Sequence, residues 1–183
     1  MPNTNFQKAK DCLIPEDIYL RDISLRMNDS YEPKYDSQGV QVQYKKSISK
    51  LHHAVVSPDK DESFDAYSIF RVFMDLGVRL LPQDFKINDD IDERELKKYI
   101  LAELTSLYVV EYKYSDKDLG DDADTLIEFA ERNSPYHIWP FWRELIMSTF
   151  QRANIPKFVL PTFQIKEEKK VTKKKSVKKK KKH

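Results

Sequence analysis

The sequence contains very little glycine and cysteine, and this scarcity removes several classes of functional site. Only 3 glycines and 1 cysteine occur among 183 residues. Loops that cradle phosphate groups depend on several glycines, so phosphate binding through such a loop is close to excluded. The lone cysteine, Cys12, excludes an internal disulfide and a cysteine-rich zinc site, and it suits a reducing compartment.

The chain also lacks long apolar runs. No segment approaches the roughly 20 apolar residues that a helix needs to span a bilayer. The first residues, MPNTNFQKAKDCLIPEDI, contain no apolar run of the kind found in a secretory signal. We therefore expect a soluble protein of the cytoplasm.

Motifs for catalysis and metal binding are missing too. His52 and His53 form the only histidine pair, and neighbours on a strand point to opposite faces, so we do not expect them to share a metal ion. The acidic pairs at residues 89–90 and 121–122 lack the alternating spacing of a calcium loop. No nucleophile elbow or HExxH motif is present. We expect no enzymatic activity, no metal and no cofactor.

Charge is distributed very unevenly along the chain. The formal net charge is +2, but residues 166–183 carry 11 Lys and 2 Glu, a balance of +9. This leaves 21 Lys and Arg against 28 Asp and Glu in residues 1–165, a balance of −7. The lysines repel one another and have no apolar neighbours to pack on, so we expect the tail to be disordered.

Alternation of apolar and polar residues predicts four long strands. The clearest is the third, in which mainly apolar residues recur at every second position from Phe64 to Leu80. The predicted strands span residues 18–27, 40–51, 64–80 and about 97–114. Irregular segments without helices join them, which favours an antiparallel sheet.

After Gly120 the apolar spacing becomes helical. A short helix is predicted from Asp124 or Thr125 to Pro135, and a second helix from Pro140 to Asn154. Strands followed by helices indicate an α+β domain, here a four-stranded antiparallel sheet with two helices packed on one face. We divide the chain into an N-terminal extension (1–15), this domain (16–165) and the lysine-rich tail (166–183).

Aromatic residues are concentrated in two irregular places. Two lie in the polar loop after the first strand and four lie around the start of the second helix: Tyr31, Tyr35, Tyr136, Trp139, Phe141 and Trp142. Packing of the helix on the sheet explains Phe141 and Trp142 as well as a binding role does. The two loop tyrosines are harder to place in a core. The loop lying against the helix start would form an apolar groove suited to extended chains.

Several segments resemble the SecB family of export chaperones. IYLRDIS (18–24) resembles the first strand of that family, and ILAELTSLYVV (100–110) resembles the strand through which its dimers pair. HIWPFWRELIMSTFQRANIPKFVLPTF (137–163) is similar to the family's helix start, long helix and proline-containing exit. The resemblance covers most of residues 16–163, and the order and spacing of these segments carry it.

The resemblance implies a SecB-like homotetramer, a dimer of dimers, whose grooves hold unfolded polypeptide without ATP. The six aromatic residues named above would bind the client. Ala102 and Leu104 would lie in the oligomer interface. Asp22 and Glu103 match acidic positions that contact the SecA translocase motor, although Arg26 stands where the family has another acid.

The C-terminus departs from the family, because the lysine tail follows Phe163 almost at once and leaves no room for a second long helix. SecB-like chaperones of toxin–antitoxin systems also have divergent C-termini, so the client is either an exported preprotein or an antitoxin. The alternative function is non-specific nucleic-acid binding, since eleven lysines would release many counterions on a duplex. Docking of the tail to an acidic partner or anionic lipid is a further possibility.

Overall fold

Four antiparallel strands form one sheet in the computed structural model, which describes residues 4–36, 38–57, 65–86, 91–115 and 122–163. The strands are β1 (Leu13–Met27), β2 (Val40–Val56), β3 (Tyr67–Pro82) and β4 (Ala102–Tyr114). Their order across the sheet is β1-β4-β3-β2, and every neighbouring pair is antiparallel. The predicted four-stranded antiparallel sheet is therefore confirmed, with β1 and β2 at its edges.

Three helices accompany the sheet. They are α1 (Thr4–Cys12), the one-turn α2 (Glu93–Leu96), which runs into a 3₁₀ turn at Lys97–Tyr99, and the long α3 (Ala123–Arg152). Beyond α3, residues 155–163 continue without helix or strand.

The two faces of the sheet differ because successive side chains of a strand point to opposite sides. On the inner face, apolar residues of the central strands pack beneath α3. In β3 these are Phe70, Val72, Met74, Leu76, Val78 and Leu80, and in β4 they include Ala102, Leu104, Tyr108, Val110 and Tyr112. The outer face carries Arg71, Asp75 and Arg79 of β3 opposite Glu111, Leu107 and Glu103 of β4.

The helix α3 corrects the prediction of two helices, because it continues through both Pro135 and Pro140. An interior proline removes one helical hydrogen bond and crowds the preceding turn, which is why Pro135 was expected to end the first helix. Packing outweighs that cost here. Buried residues recur at every fourth position, namely Leu126, Ala130, Ser134, Ile138, Trp142, Ile146 and Phe150. A period of four shifts the buried stripe by about 40° per step, so the stripe winds around the helix.

Two further boundaries differ from the predictions. β1 starts at Leu13 rather than Ile18, and Ala9, Cys12 and Leu13 are buried in the same core as the sheet. β4 starts at Ala102 rather than near Lys97, because the Asp92 side chain accepts hydrogen bonds from the backbone of residues 94 and 95 and caps a helical turn there. The boundary proposed after residue 15 falls inside β1. The lysine-rich tail lies outside the described residues, and the division into domains stays a prediction.

Phe129 offers a test of how α3 is held on the sheet. It is fully buried, and its ring packs edge-on against Tyr112 with 4.9 Å between centroids. Replacing Phe129 with Ala should lower the free energy of unfolding by about 3–5 kcal/mol, because the change leaves a cavity in the core. Urea denaturation measures this loss. Ile127→Ala, at an exposed position of the same helix, is the matched control and should cost less than about 1 kcal/mol. Equal losses for the two variants would contradict this packing.

Candidate functional site

A groove separates the edge strand β2 from the first half of α3. Lys46, Ser47 and Ile48 of β2 form one side, and Glu131 and Pro135 of α3 form the other. Met74 of β3 also lines the groove, and the volume of the groove is about 330 Å³. Among the strands of the described residues, β2 pairs on one side only, so the groove lies at an edge of the sheet.

Trp139 lies one helical turn beyond Pro135 on α3, where an aromatic cluster forms. Its ring centroid is 6.1 Å from Tyr44 of β2, 5.0 Å from Trp142 and 5.3 Å from Phe163. The indole Nε1 donates a hydrogen bond of 2.8 Å to the backbone carbonyl of Pro161. The end of the described chain therefore covers an aromatic cluster between α3 and β2.

Lys46 connects the aromatic cluster to the groove. Its Nζ lies 4.5 Å from the centroid of the Phe163 ring, and the residue also lines the groove. Partial burial lowers the pKa of the Lys46 ammonium, since desolvation disfavours the charged form. A cation over an aromatic face is a favourable contact, and this one marks where Phe163 meets the open groove.

The loop after β1 forms a separate pocket at the far end of α3. Tyr31 and Tyr35 line this pocket together with Met27 and residues 152–154, and its volume is about 630 Å³. Residue 152 is eleven positions beyond Phe141, a distance of about 16 Å along a helix. The predicted single groove between this loop and the start of the second helix is therefore wrong for the protomer, because the two aromatic groups lie at different places along α3.

The six predicted client-binding residues divide into two sets. Three are buried, with relative exposures of 5% for Tyr31, 6% for Trp139 and 0% for Trp142. The other three are exposed: Tyr35 at 76%, Tyr136 at 57% and Phe141 at 49%. Tyr31 is difficult to place in a core from the sequence, but it is buried in the structure. Its backbone N–H donates to the carbonyl of Asn28 and closes a turn there. Burial also raises the pKa of Tyr31. The accessible part of the predicted set is Tyr35, Tyr136 and Phe141.

A polar network ties the middle of α3 to the sheet. The Tyr112 hydroxyl lies 3.0 Å from Ser134 Oγ and 2.9 Å from His137 Nδ1. These distances let Tyr112 donate to a neutral imidazole while it accepts from Ser134. Burial raises the pKa of Tyr112 and lowers that of His137, so both groups are held in their neutral forms.

Neither a protein-family model nor a curated protein sequence matches the chain. Comparison with solved structures does find matches. One matching structure is the Mycobacterium tuberculosis SecB-like chaperone Rv1957 in complex with a ChAD peptide from the HigA1 antitoxin Rv1956. The TM-score is 0.61 at 15% sequence identity, and the match covers 89% of this chain and 99% of that chain. The chain has a SecB-like fold.

Within this SecB-like fold, the two predicted SecA-contact residues lie on the outer face of the sheet. Glu103 is directly opposite Arg26 of β1 on one side and Arg79 of β3 on the other. Asp22 is exposed and lies opposite Leu107. Two arginines beside Glu103 offset its charge, so this part of the face does not present an acidic patch. The contact with a translocase motor stays a prediction.

The predicted interface residues Ala102 and Leu104 are corrected by their burial. Both are completely buried beneath α3, so a second copy cannot reach them without opening the core. The alternation along β4 separated its two faces, but it did not tell which face α3 covers. The residues of β4 that face away from α3 are Glu103, Thr105, Leu107, Val109, Glu111 and Lys113.

The residues of the groove, and Tyr44 and Phe163 of the aromatic cluster, were missed as site residues. Tyr44 and Met74 were recognised only as members of alternating strands, and Phe163 only as part of the exit from the helix. The signal that could have found them was weak, because a strand pattern does not reveal which strand lies at an edge. His52 and His53 point to opposite faces of β2, as predicted, and His53 stacks beside Tyr114.

The described residues contain neither a metal-ion cluster nor a membrane-spanning helix. No group of three or more His, Cys, Asp and Glu residues there is arranged to hold a metal ion. No helix in the same ranges is long and apolar enough to cross a membrane.

The buried imidazole of His137 predicts a pH-dependent stability. Because the pKa of His137 is lowered in the folded state, folding favours the neutral form. This contribution is complete above the unfolded pKa of about 6.5 and is lost as the pH falls toward the lowered folded pKa. Urea unfolding at a series of pH values from 7.5 downward should show the decrease. His137→Gln should remove part of that decrease, and identical pH profiles for the two proteins would refute the assignment.

Proposed function

We propose that the protein is a holdase chaperone that binds unfolded polypeptide without ATP. The observation that carries this proposal is a groove of mixed apolar and charged lining at the edge of a SecB-like fold, with exposed aromatic residues on the same helix. The fold alone does not fix a function. Ile48 is the partly exposed apolar residue of the groove and lies over the buried Met74 and Pro135. Lys46 and Glu131 at its sides are able to contact the polar backbone of a client.

Weak and sequence-tolerant contacts suit such a chaperone. Full burial of one large apolar side chain contributes roughly 1.5–3 kcal/mol before the costs of association are subtracted. One groove therefore binds a client segment weakly, and several grooves in one assembly raise the overall affinity by orders of magnitude. The homotetramer implied by the family resemblance is part of this proposal, and light scattering after size-exclusion chromatography measures it.

The client that we propose is suggested by the structurally similar chaperone, which binds a peptide. Rv1957 is a SecB-like chaperone that was solved with a peptide from an antitoxin. We extend this to the present chain and propose an antitoxin as client, with an exported preprotein as the alternative. Contact of Asp22 and Glu103 with a SecA-type motor belongs to the preprotein alternative, and the arginines beside Glu103 favour the antitoxin.

The lysine-rich tail tests the alternative of a nucleic-acid function. Deleting residues 166–183 should abolish salt-dependent RNA and DNA binding, because the tail holds 11 of the 32 basic residues. Suppression of client aggregation should persist in the truncated protein. Loss of client holding together with nucleic-acid binding would favour the alternative function.

The exposed aromatic residues of α3 provide the main test of the chaperone proposal. Replacing Tyr136 and Phe141 together with Ser should weaken binding of an unfolded client by about tenfold or more, because two large apolar contacts are lost. Binding of a reduced, carboxymethylated protein is measured by fluorescence anisotropy, and aggregation suppression by light scattering. Tyr35→Ser should reduce binding less, since Tyr35 lies in the separate pocket at the end of α3.

Ile14→Ser is the matched control for this test. Ile14 is about as exposed as Phe141, but it lies on the outer face of β1, opposite Lys113 of β4. Client binding should be unchanged in this variant. If the double substitution in α3 leaves client affinity at the wild-type value, the proposed binding surface is wrong.

A further inference from the structure

The segment after α3 is attached to the protein at a few points. Pro156 and Pro161 have no backbone N–H, so the segment cannot pair along its whole length with a strand. Residues 155–163 form no strand in the structure. Ile155 and Leu160 are buried and anchor the segment, while Val159 between them is exposed. Leu160 is the last residue of the segment that is buried in the core.

Beyond Leu160 the chain rests on the aromatic cluster. Pro161 and Thr162 are exposed, and Phe163 is half-buried against Trp139. The carbonyl of Pro161 accepts the hydrogen bond from Trp139 Nε1. Trp139 itself is buried, although its neighbour Tyr44 on the edge strand is half-exposed. The three residues 161–163 therefore help to close a site that otherwise faces the open edge of the sheet.

The covered site and the open groove meet at Lys46, which touches the ring of Phe163 and also lines the groove. Pro135 of the groove and Trp139 are one turn apart on α3. We infer that the two sites form one track. One end of the track is filled by the chain itself, and the other end is open.

We propose that residues 161–163 are a resident occupant of the client site, which an extended client segment displaces. This inference rests on the proposed chaperone function and names a contact within it. A client side chain takes the place of Phe163 on Trp139, and a client carbonyl accepts from Trp139 Nε1. Residues 155–160 stay anchored through Ile155 and Leu160, so only the end of the segment moves.

The resident segment also describes the chemistry of a suitable client. It is an extended chain with an aromatic ring two residues after the carbonyl that binds the indole. The residue that supplies this carbonyl is Pro161, so a client residue in its place needs no backbone N–H. The next client residues would enter the groove between Lys46 and Glu131. Only molecules in which residues 161–163 are displaced can bind a client. The apparent affinity is therefore the intrinsic affinity multiplied by the fraction of such molecules.

Substitution of Phe163 tests the competition. Phe163→Ala weakens the resident contact and should make an unfolded, reduced and carboxymethylated protein bind about fivefold more tightly, measured by fluorescence anisotropy. Phe158→Ala is the matched control, because Phe158 lies in the same segment but packs on Phe150, with 5.4 Å between ring centroids. The control should show no gain in affinity. Circular dichroism establishes that both variants are folded.

A peptide in trans gives a second readout. A synthetic peptide of residues 155–163, IPKFVLPTF, should compete with the client for the Phe163→Ala protein. The same peptide with Ala in the place of Phe163 should compete much less. Unchanged or weaker client binding by the Phe163→Ala protein would overturn the inference while leaving the chaperone proposal intact. If neither the wild type nor this variant binds client, the chaperone proposal itself fails.

Discussion

The packing of α3 on the inner face of β3 and β4 is the interaction on which the rest of the structure depends. A buried residue at every fourth position of α3 keeps a 30-residue helix in contact with the sheet despite two interior prolines. The Tyr112 hydroxyl, between Ser134 and His137, fixes the register of the helix on β4. Once α3 is held there, one wall of the groove, Trp139 and the start of the C-terminal segment are all in place.

The position of β2 at the edge of the sheet turns this packing into a site. A helix on a sheet normally buries both surfaces, but α3 runs beside an edge strand and leaves a gap that is lined by side chains of both elements. The outer face is less suited to hold an apolar segment. Phe73, one of its apolar residues, lies beneath the cationic ends of Arg21 and Lys50, at 5.6 and 5.4 Å from the ring centroid. The proposed binding of unfolded chains is therefore expected on the side of α3.

Much of the fold was predictable from sequence, because strand alternation is a local pattern. The faces of β3 and β4 followed from every second residue between Phe70 and Tyr112. The continuous helix did not, since proline signals are local and the compensating burial of Ile138 and Trp142 is tertiary. Of the candidate site, exposed Tyr136 and Phe141 were within reach of the sequence. The burial of Tyr31 and the contact of Phe163 with Trp139 were not, because both depend on where a loop and a chain end return to the core.

The proline at position 135 has a consequence for hydrogen bonding at the wall of the groove. In a regular helix the carbonyl of residue 131 accepts the N–H of residue 135, but a proline has no such hydrogen to give. Both residues line the groove. The carbonyl of residue 131 therefore lacks its usual helical donor, and under the proposed function an amide of an extended client is a group able to supply one. Such an acceptor is indifferent to side-chain identity, as the proposed holdase function requires.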